Sequence, residues 1–302
     1  MARTILLAGG TGFIGTKLAE LLRSRGHHVR LLTRTPRGAD QFGWDPTAGQ
    51  IDDDAVRGAD VVINLAGAGI AEQRWTPARK KLIIDSRVES ARVLRDAFQR
   101  LDHRPEAYLA ASAIGYYGNS GDDWKNENDP PADKSFLVES TTAWEQATET
   151  VGALGIRMVV FRIGIVLDQS GGALHEIIKP LRFGMGGYFG DGRAWYSWIH
   201  RDDLCRMFLW AVENQDVEGI YNAVAPNPAQ NKDLVKAAAK AMHQPALFAA
   251  APEFALRLAF GEMADAILFS TRVSAEKIIR AGFRFQHPEL AGALEDIFSK
   301  KG

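Results

Sequence analysis

The chain contains a single cysteine, Cys205, so it can form no internal disulfide and nothing in it calls for an oxidising compartment. Cys205 lies in the apolar stretch Leu204–Val212, a setting for a buried, inert thiol rather than a nucleophile. An excess charge of either sign is lacking too. Against 36 Lys plus Arg stand 37 Asp plus Glu, so no bulk field draws in nucleic acid or an anionic membrane, and any anion site must be local. No apolar run approaches the roughly 20 residues that span a bilayer. Residues Met1–Gly10 run from a short apolar segment straight into glycines, without the longer apolar core and cleavage site of a secretory leader. The expectation is a cytoplasmic protein with a small-molecule substrate, and with neither nucleic acid nor membrane as partner. Metal-ligand spacing is also lacking: His27 and His28 open a strand, while His175 and His243 stand isolated. No zinc or iron site is expected.

What is present is ordinary for a globular fold. Apolar residues make up 46% and charged residues 24% of 302 positions, enough for one large domain or two modest ones. Thr4–Ala8 is a continuous apolar run, as in a parallel strand buried on both faces. Ile14, Leu18, Leu21 and Leu22 then recur at helical spacing, and Gly26 suits the position just past a helix end. His28–Thr33 and Asp60–Leu65 read as further strands. Thr76 and Pro77 supply the cap and first residue of a long helix with an apolar stripe at Ile84, Val88, Ala91, Leu94, Phe98 and Leu101. Tyr108–Ser112 and Met158–Ile165 read as strands separated by a helix near 137–154. Such alternation gives an α/β fold with a Rossmann-type, doubly wound parallel sheet. From about residue 168, glycines punctuate a loop-rich stretch carrying Trp195, Tyr196 and Trp198. Helical patterns follow near 202–213, 231–242, 252–268 and 274–281. The predicted organisation is a dinucleotide-binding domain over 1–167 and a smaller mixed lobe over 168–302, some of whose segments can return to the sheet.

The segment Gly9-Gly10-Thr11-Gly12-Phe13-Ile14-Gly15 follows a strand and opens a helix. Its glycines satisfy GxxGxxG through Gly9, Gly12 and Gly15, and GxGxxG through Gly10, Gly12 and Gly15. Close backbone approach to a diphosphate, free N–H groups and the positive end of a helix are what such a loop supplies. All seven residues are assigned to cofactor binding, together with Leu65, Ala66 and Gly67 after the Asp60–Leu65 strand. At the end of the second strand an NAD-binding protein usually places a carboxylate for the ribose hydroxyls. Leu31–Arg37 contains none. Thr33 and Arg34, with Arg37 nearby, instead suit a 2′-phosphate, because guanidinium pairs with phosphate in a bidentate way. NADP(H) is expected over NAD(H).

Together the glycine loop, Asn64-Leu-Ala-Gly67 and Ser112-Ala-Ile-Gly-Tyr-Tyr-Gly118 resemble an extended or atypical short-chain dehydrogenase/reductase. Arg74-Trp-Thr76, Ser86-Arg-Val88, Gly171-Gly-Ala-Leu174, Ser197-Trp-Ile-His200, Gly261-Glu-Met-Ala264 and Gly282-Phe-Arg-Phe285 narrow the resemblance. They are similar to motifs of the NAD(P)-dependent epimerase-like proteins of the SDR39U type, which carry a C-terminal domain of unknown function. The resemblance implies fold and cofactor class, and no particular substrate. In the larger family a Tyr-x-x-x-Lys pair performs the acid–base work and a Ser hydrogen-bonds the substrate oxygen. The corresponding helix here, Phe136-Leu-Val-Glu-Ser-Thr-Thr-Ala-Trp-Glu145, holds neither Tyr nor Lys. Counting from the Ser112–Gly118 motif puts Leu137 or Val138 at the Tyr position and Thr141 or Thr142 at the Lys position.

Ala113 takes the usual Ser position, and Ser112, one residue earlier, faces the other side of a regular strand. Ser112, Tyr116 and Tyr117 remain the catalytic candidates, Ser112 also as a cofactor contact, with packing as the alternative for the tyrosines. Glu145 reads as a surface or helix-end carboxylate. In UDP-galactose 4-epimerase and its relatives, an Arg three residues before an Ile-His pair binds the nucleotide diphosphate; Tyr196 stands there, with Arg193 near enough to substitute. Trp195, Tyr196 and Trp198 suit stacking on a substrate ring or filling the core between lobes. Arg74, Trp75 and Arg87 complete the substrate-side candidates, Arg87 either as partner of an anionic group or in a surface salt bridge. The family pattern makes Asp203 chiefly structural. Two functions stay open. One is an NADP(H)-dependent oxidoreductase or epimerase-like enzyme acting on a small polar or sugar-like carbonyl or carbinol. The other is a catalytically silent NADP(H)-binding sensor or assembly protein, which would expose an apolar patch around Leu256–Phe269, a run that equally suits a buried helix pair.

Overall fold

The computed structural model describes residues 1–299; the last three positions of the expected second lobe lie outside them. The chain enters through β1 (Thr4–Ala8), α1 (Phe13–Ser24), β2 (His28–Thr33), β3 (Gln41–Asp45), β4 (Gln50–Ile51) and α2 (Asp53–Val56). Next come β5 (Val61–Asn64), α3 (Pro77–Arg100), β6 (Ala107–Ala113), β7 (Trp124–Lys125), α4 (Phe136–Gly152) and β8 (Arg157–Ile163). Then follow β9 (Ile165–Leu167), α5 (Gly172–Leu181), β10 (Met185–Phe189), β11 (Trp195–Tyr196), β12 (Trp198–His200), α6 (Arg201–Glu213) and β13 (Gly219–Ala223). The remainder is β14 (Ala229–Gln230), α7 (Asn231–Ala241), β15 (Leu247–Ala251), α8 (Glu253–Phe260), α9 (Asp265–Leu268), β16 (Arg272–Val273), α10 (Glu276–Arg280) and α11 (Leu290–Ser299).

The main sheet runs β13-β8-β6-β5-β1-β2-β3-β4, parallel throughout except for the β3–β4 pair. Strand order reverses at β1, with β2 on one side and β5 on the other, so the crevice of a doubly wound sheet opens beyond their carboxyl ends. Alternate residues of β1 enter different layers. Ile5 and Leu7 join Leu18 and Leu22 of α1 and Phe208 of α6, while Leu6 and Ala8 join Leu94 and Phe98 of α3. Burial on both faces is why these strands read as unbroken apolar runs.

Local signals set the ends of the elements. Gly26, at φ +83°, closes α1 by donating to Arg23 O, and His27 N–H donates to Leu22 O, the paired bonds of a Schellman ending. The Thr76 hydroxyl accepts from Arg79 N–H at 3.2 Å and Pro77 begins α3, as the sequence predicts. The run expected over Met158–Ile165 breaks at Gly164 into β8 and β9. A Cβ at Gly164 would lie 2.2 Å from Ser197 O, so only glycine lets β12 approach there.

Other expectations are corrected. The stretch after 168, read as loops, contains helix α5, whose Leu174, Ile178 and Leu181 pack with Trp198, Leu234 and Leu294 in a separate core. The helical pattern over 252–268 is interrupted by Gly261, at φ +61°, into α8, a 3₁₀ turn over Gly261–Ala264, and α9. Strand β13 pairs with β8 in the main sheet, and β3, β4 and α11 have no counterpart in the sequence reading. Among the described residues no helix is long and apolar enough to cross a membrane. Replacing Thr76 with Ala removes the α3 cap and should lower unfolding stability by about 1 kcal/mol, read as a shift of the urea midpoint at unchanged slope.

Candidate functional site

The β1–α1 loop is built by glycine at each close approach. Gly9 adopts φ +77°, and a Cβ there would lie 2.8 Å from the Leu65 carbonyl carbon. A Cβ at Gly15 would lie 2.1 Å from Gly9 O, so α1 is held hard against the loop that precedes it. Gly12 N–H donates back to Gly9 O at 3.1 Å and caps α1 with no side chain; the first turn carries no acidic residue. The helix therefore presents bare N–H groups and its positive end at the carboxyl edge of the sheet. Gly12 and Thr11 are exposed, while Phe13 and Ile14 are half-buried. The ring of Phe13 packs under Gly171, where a Cβ would come within 2.8 Å of it. Across the crevice, Leu65 N–H donates to Ala8 O, and Asn64 Oδ1 accepts from Ala66 N–H at 3.0 Å. Buried Asn64 is itself fixed by Ser90 and Tyr108, so the turn through Gly67 is rigidly placed. Thr33 is half-buried at the end of β2. Arg34, one residue on, is exposed and in no ion pair within 4 Å among the described residues, its charge reaching Asp45 at longer range.

At the carboxyl end of β6 the catalytic candidates separate. Ser112 Oγ is buried and donates to Glu145 Oε1 at 2.6 Å. Glu145 also receives Arg162 Nε at 2.9 Å and Nη2 at 2.8 Å, a bidentate ion pair with both side chains almost fully buried. Glu145 is thus no surface carboxylate. Arg162 Nη1 donates to the Tyr117 hydroxyl at 3.0 Å, and that hydroxyl donates to Asn222 Oδ1 at 2.7 Å. Burial pushes the Tyr117 phenol up to about 12, only partly opposed by Arg162. Burial alone would disfavour the Arg162 charge, but the Glu145 hydrogen bonds and charge overrule it and push its pKa upward. Ser112 and Tyr117 are therefore committed to a network that spans β6, α4, β8 and β13. Tyr116 is half-buried with the Arg162 guanidinium 3.5 Å from its ring centre, and among the described residues its hydroxyl has no protein hydrogen bond.

Helix α4 faces this edge. A Cβ on Gly115 would lie 3.5 Å from Leu137 Cβ and 3.7 Å from Thr141 Cγ2, so these two side chains of α4 front the turn Ile114–Tyr117. Both are buried, and the Thr141 hydroxyl is turned back onto Leu137 O at 2.7 Å.

On the substrate side, Tyr196 is buried and its hydroxyl donates to Ile267 O. Arg193 is exposed beside Asp191. Trp195 donates Nε1 to Asp122 at 2.7 Å, and the Arg272 guanidinium lies between it and Trp124, 4.2 and 4.3 Å from the ring centres. Trp75 is buried edge-on against Phe136, with Ile83, Leu137, Met263 and Phe269 around them. Exposed Arg74 donates to Leu258 O, and half-buried Arg87 sits beside Gly67. Asp203 is wholly buried, accepting from Gln286 and His287 N–H groups and pairing with Arg206. The fold also gathers His200, His287 and Asp296, far apart in the chain, with one ligand atom of each within 4.8 Å of the others. His200 Nδ1 accepts from Asp202 N–H and its ring stacks on His287 at 4.0 Å, an imidazole–carboxylate arrangement that single-residue spacing could not reveal.

Residues 5–223 match the NAD dependent epimerase/dehydratase family, and 251–297 match a domain of unknown function (DUF1731). Epimerase family protein YfhF of Bacillus subtilis is 36% identical over 301 residues, spanning 98% of each chain. The crystal structure of human epimerase family protein SDR39U1 with NADPH superposes with a TM-score of 0.88 at 32% identity, covering 99% of this chain and 100% of that one. The chain belongs to the NAD-dependent epimerase/dehydratase family. UDP-glucose 4-epimerase of Thermus thermophilus, solved with NAD, superposes with a TM-score of 0.77 at 21% identity over 98% of this chain and 99% of that one. That likeness is one of fold. The glycine loop of that family is intact here, and the α4 segment Phe136–Glu145 contains neither Tyr nor Lys.

Removing one partner of the Glu145–Arg162 pair strands a buried charge. Arg162→Met should lower stability by about 3–5 kcal/mol, and Glu145→Leu combined with Arg162→Met should recover a large part of it. Chemical unfolding of the single and double variants measures the difference; additive losses would contradict the pairing.

Proposed function

We propose that the chain binds NADP(H) in preference to NAD(H) and acts as an oxidoreductase or epimerase-like enzyme on a small polar or sugar-like carbonyl or carbinol compound. The observation that carries the cofactor reading is the end of β2, where Arg34 stands exposed with no close ion pair among the described residues, its charge reaching Asp45 only at longer range, and Leu31–Arg37 contains no acid. A guanidinium there suits a 2′-phosphate, and a carboxylate would repel it. The human SDR39U1 structure holds NADPH, which agrees with this choice, while the T. thermophilus epimerase holds NAD. Burial of Tyr196 in place of a diphosphate-binding Arg favours a substrate smaller than a nucleotide sugar.

A bound reduced nicotinamide supplies hydride to a carbonyl carbon, and the carbonyl oxygen must then gain a proton. Leu137 has none to give, the Thr141 hydroxyl is a far weaker acid than a phenol and is bonded to Leu137 O, and Tyr117 is committed to Asn222 and Arg162. Tyr116 is the remaining phenol on this edge, and we assign it that proton. Its hydroxyl would be restored from solvent after turnover. The second reading, a silent NADP(H) sensor, is favoured by Phe254 and Leu258, which stand one helical turn apart and exposed on α8, with Phe260 partly exposed beside them.

Titration of the purified chain with NADPH and NADH separates these readings. NADPH should bind more tightly, and Arg34→Ala should weaken NADPH by about 10- to 100-fold while leaving NADH within about threefold. Equal affinity for both dinucleotides contradicts the cofactor choice. Carbonyl-dependent NADPH oxidation that Tyr116→Phe abolishes supports the enzyme, and tight binding with no hydride transfer to any carbonyl supports the sensor.

A further inference from the structure

The arginines of α3 are not alike. Arg79, Arg92, Arg95 and Arg100 each pair with a carboxylate, from Glu72, Glu89, Asp96 or Asp53. Arg87 has no carboxylate within 4 Å among the described residues. Its Nη1 donates to the carbonyl oxygens of Ala68 at 3.1 Å and Ile83 at 2.9 Å, and its guanidinium lies 4.8 Å from the Trp144 ring centre. All of these partners are neutral. Burial, with the nearby Arg79 charge added, pulls the Arg87 pKa down to about 10. Arg79, two turns earlier on the same helix, is buried. It reaches Gly69 O and the exposed Glu72 with Nη2, while its Nε has no hydrogen-bond partner among the described residues. Two guanidinium groups thus converge on the turn from Gly67 to Glu72, and a Cβ on Gly67 would lie 3.2 Å from Arg87 Cγ and Cζ.

A cation drawn out of water with no counter-charge is costly, and such groups persist where a ligand completes them. The cofactor diphosphate has its own receptor in the N–H groups that open α1, so the uncompensated charge beside Gly67 is left for another group. We propose that Arg87 receives an acidic group of the substrate, a carboxylate or phosphate, so that the substrate is a small oxyanion-bearing carbonyl or carbinol. This inference rests on the NADP(H) reading above and names the substrate class for the same cleft. A guanidinium meets either oxyanion through two parallel N–H donors, which a lysine cannot reproduce.

The test uses oxalate and inorganic phosphate as probes, titrated calorimetrically into the intact chain saturated with NADP⁺. Wild-type protein should bind one equivalent of at least one probe, more weakly as salt rises. Arg87→Met should weaken that binding by about 10- to 100-fold and Arg87→Lys by less, with NADPH affinity unchanged within about threefold in both. Lys keeps the charge and the packing stem, so a loss confined to Met is not a folding defect. A parallel loss of NADPH affinity would give the anion to the cofactor and overturn the substrate assignment. So would binding of neither probe by wild-type protein, or equal binding by Arg87→Met. Failure of wild-type protein to bind NADPH at all would instead overturn the reading on which the inference rests.

Discussion

The contact between Gly15 and the backbone of Gly9 sets the geometry on which everything at this sheet edge depends. With 2.1 Å between Gly9 O and any added Cβ, the residue opening the second half-turn of α1 can only be glycine. That closeness packs α1 against β1 and lets Leu18 and Leu22 reach the layer shared with Ile5, Leu7 and Phe208. It also leaves the amino end of α1 without a side-chain cap at the carboxyl edge of the sheet. Gly9 makes the matching approach to Leu65 on the other side of the crevice, where strand order reverses. A dinucleotide diphosphate fits such an edge because backbone amides and a helix end, not a side-chain cation, meet its charge.

The second constraint is electrostatic. Glu145 and Arg162 come from α4 and β8, and their two parallel hydrogen bonds lock the helix in rotation relative to the sheet. A buried pair of this kind adds little net stability over an apolar substitute, since desolvation offsets its attraction. Its consequence is orientation. With Glu145 turned inward, Leu137 and Thr141, two turns and one turn earlier on α4, front the turn after β6. The side chains that α4 presents to this turn are thus a hydrocarbon and a hydroxyl already bonded to the backbone. Ser112 and Tyr117 belong to the locking network, which leaves Tyr116 as the phenol not consumed by it.

Much of this was legible in the sequence where the signal was local. The glycine loop, the Thr76–Pro77 start of α3, Gly26 after α1 and the apolar strands all act within a few residues of where they are read. Leu137 and Thr141, two of the residues reached by counting from Ser112–Gly118, do lie against the turn after β6. What escaped was non-local or weakly patterned. Glu145 looked like a surface carboxylate because its partner, Arg162, lies on a strand beyond the end of the helix. For Tyr196 the sequence left stacking and core filling open, and only its hydroxyl's bond to Ile267 O, 71 residues away, decides for the core. Strand β4 is a two-residue edge element, β3 beside it offers only Phe42 and Trp44 as an apolar pattern, and α5 begins at paired glycines that mimic a loop. Strand β13 is legible only once β8 is in place to pair with it.

The central claim is that this epimerase-family frame keeps the dinucleotide receptor and has replaced the proton-transfer pair. A crystal structure of the chain with NADPH bound tests it most directly. The account predicts diphosphate oxygens on the N–H groups that open α1, the 2′-phosphate at Arg34, and the nicotinamide ring facing Leu137 and Thr141. A dinucleotide bound elsewhere, or a lysine ammonium brought to the nicotinamide ribose from another part of the chain, would contradict it.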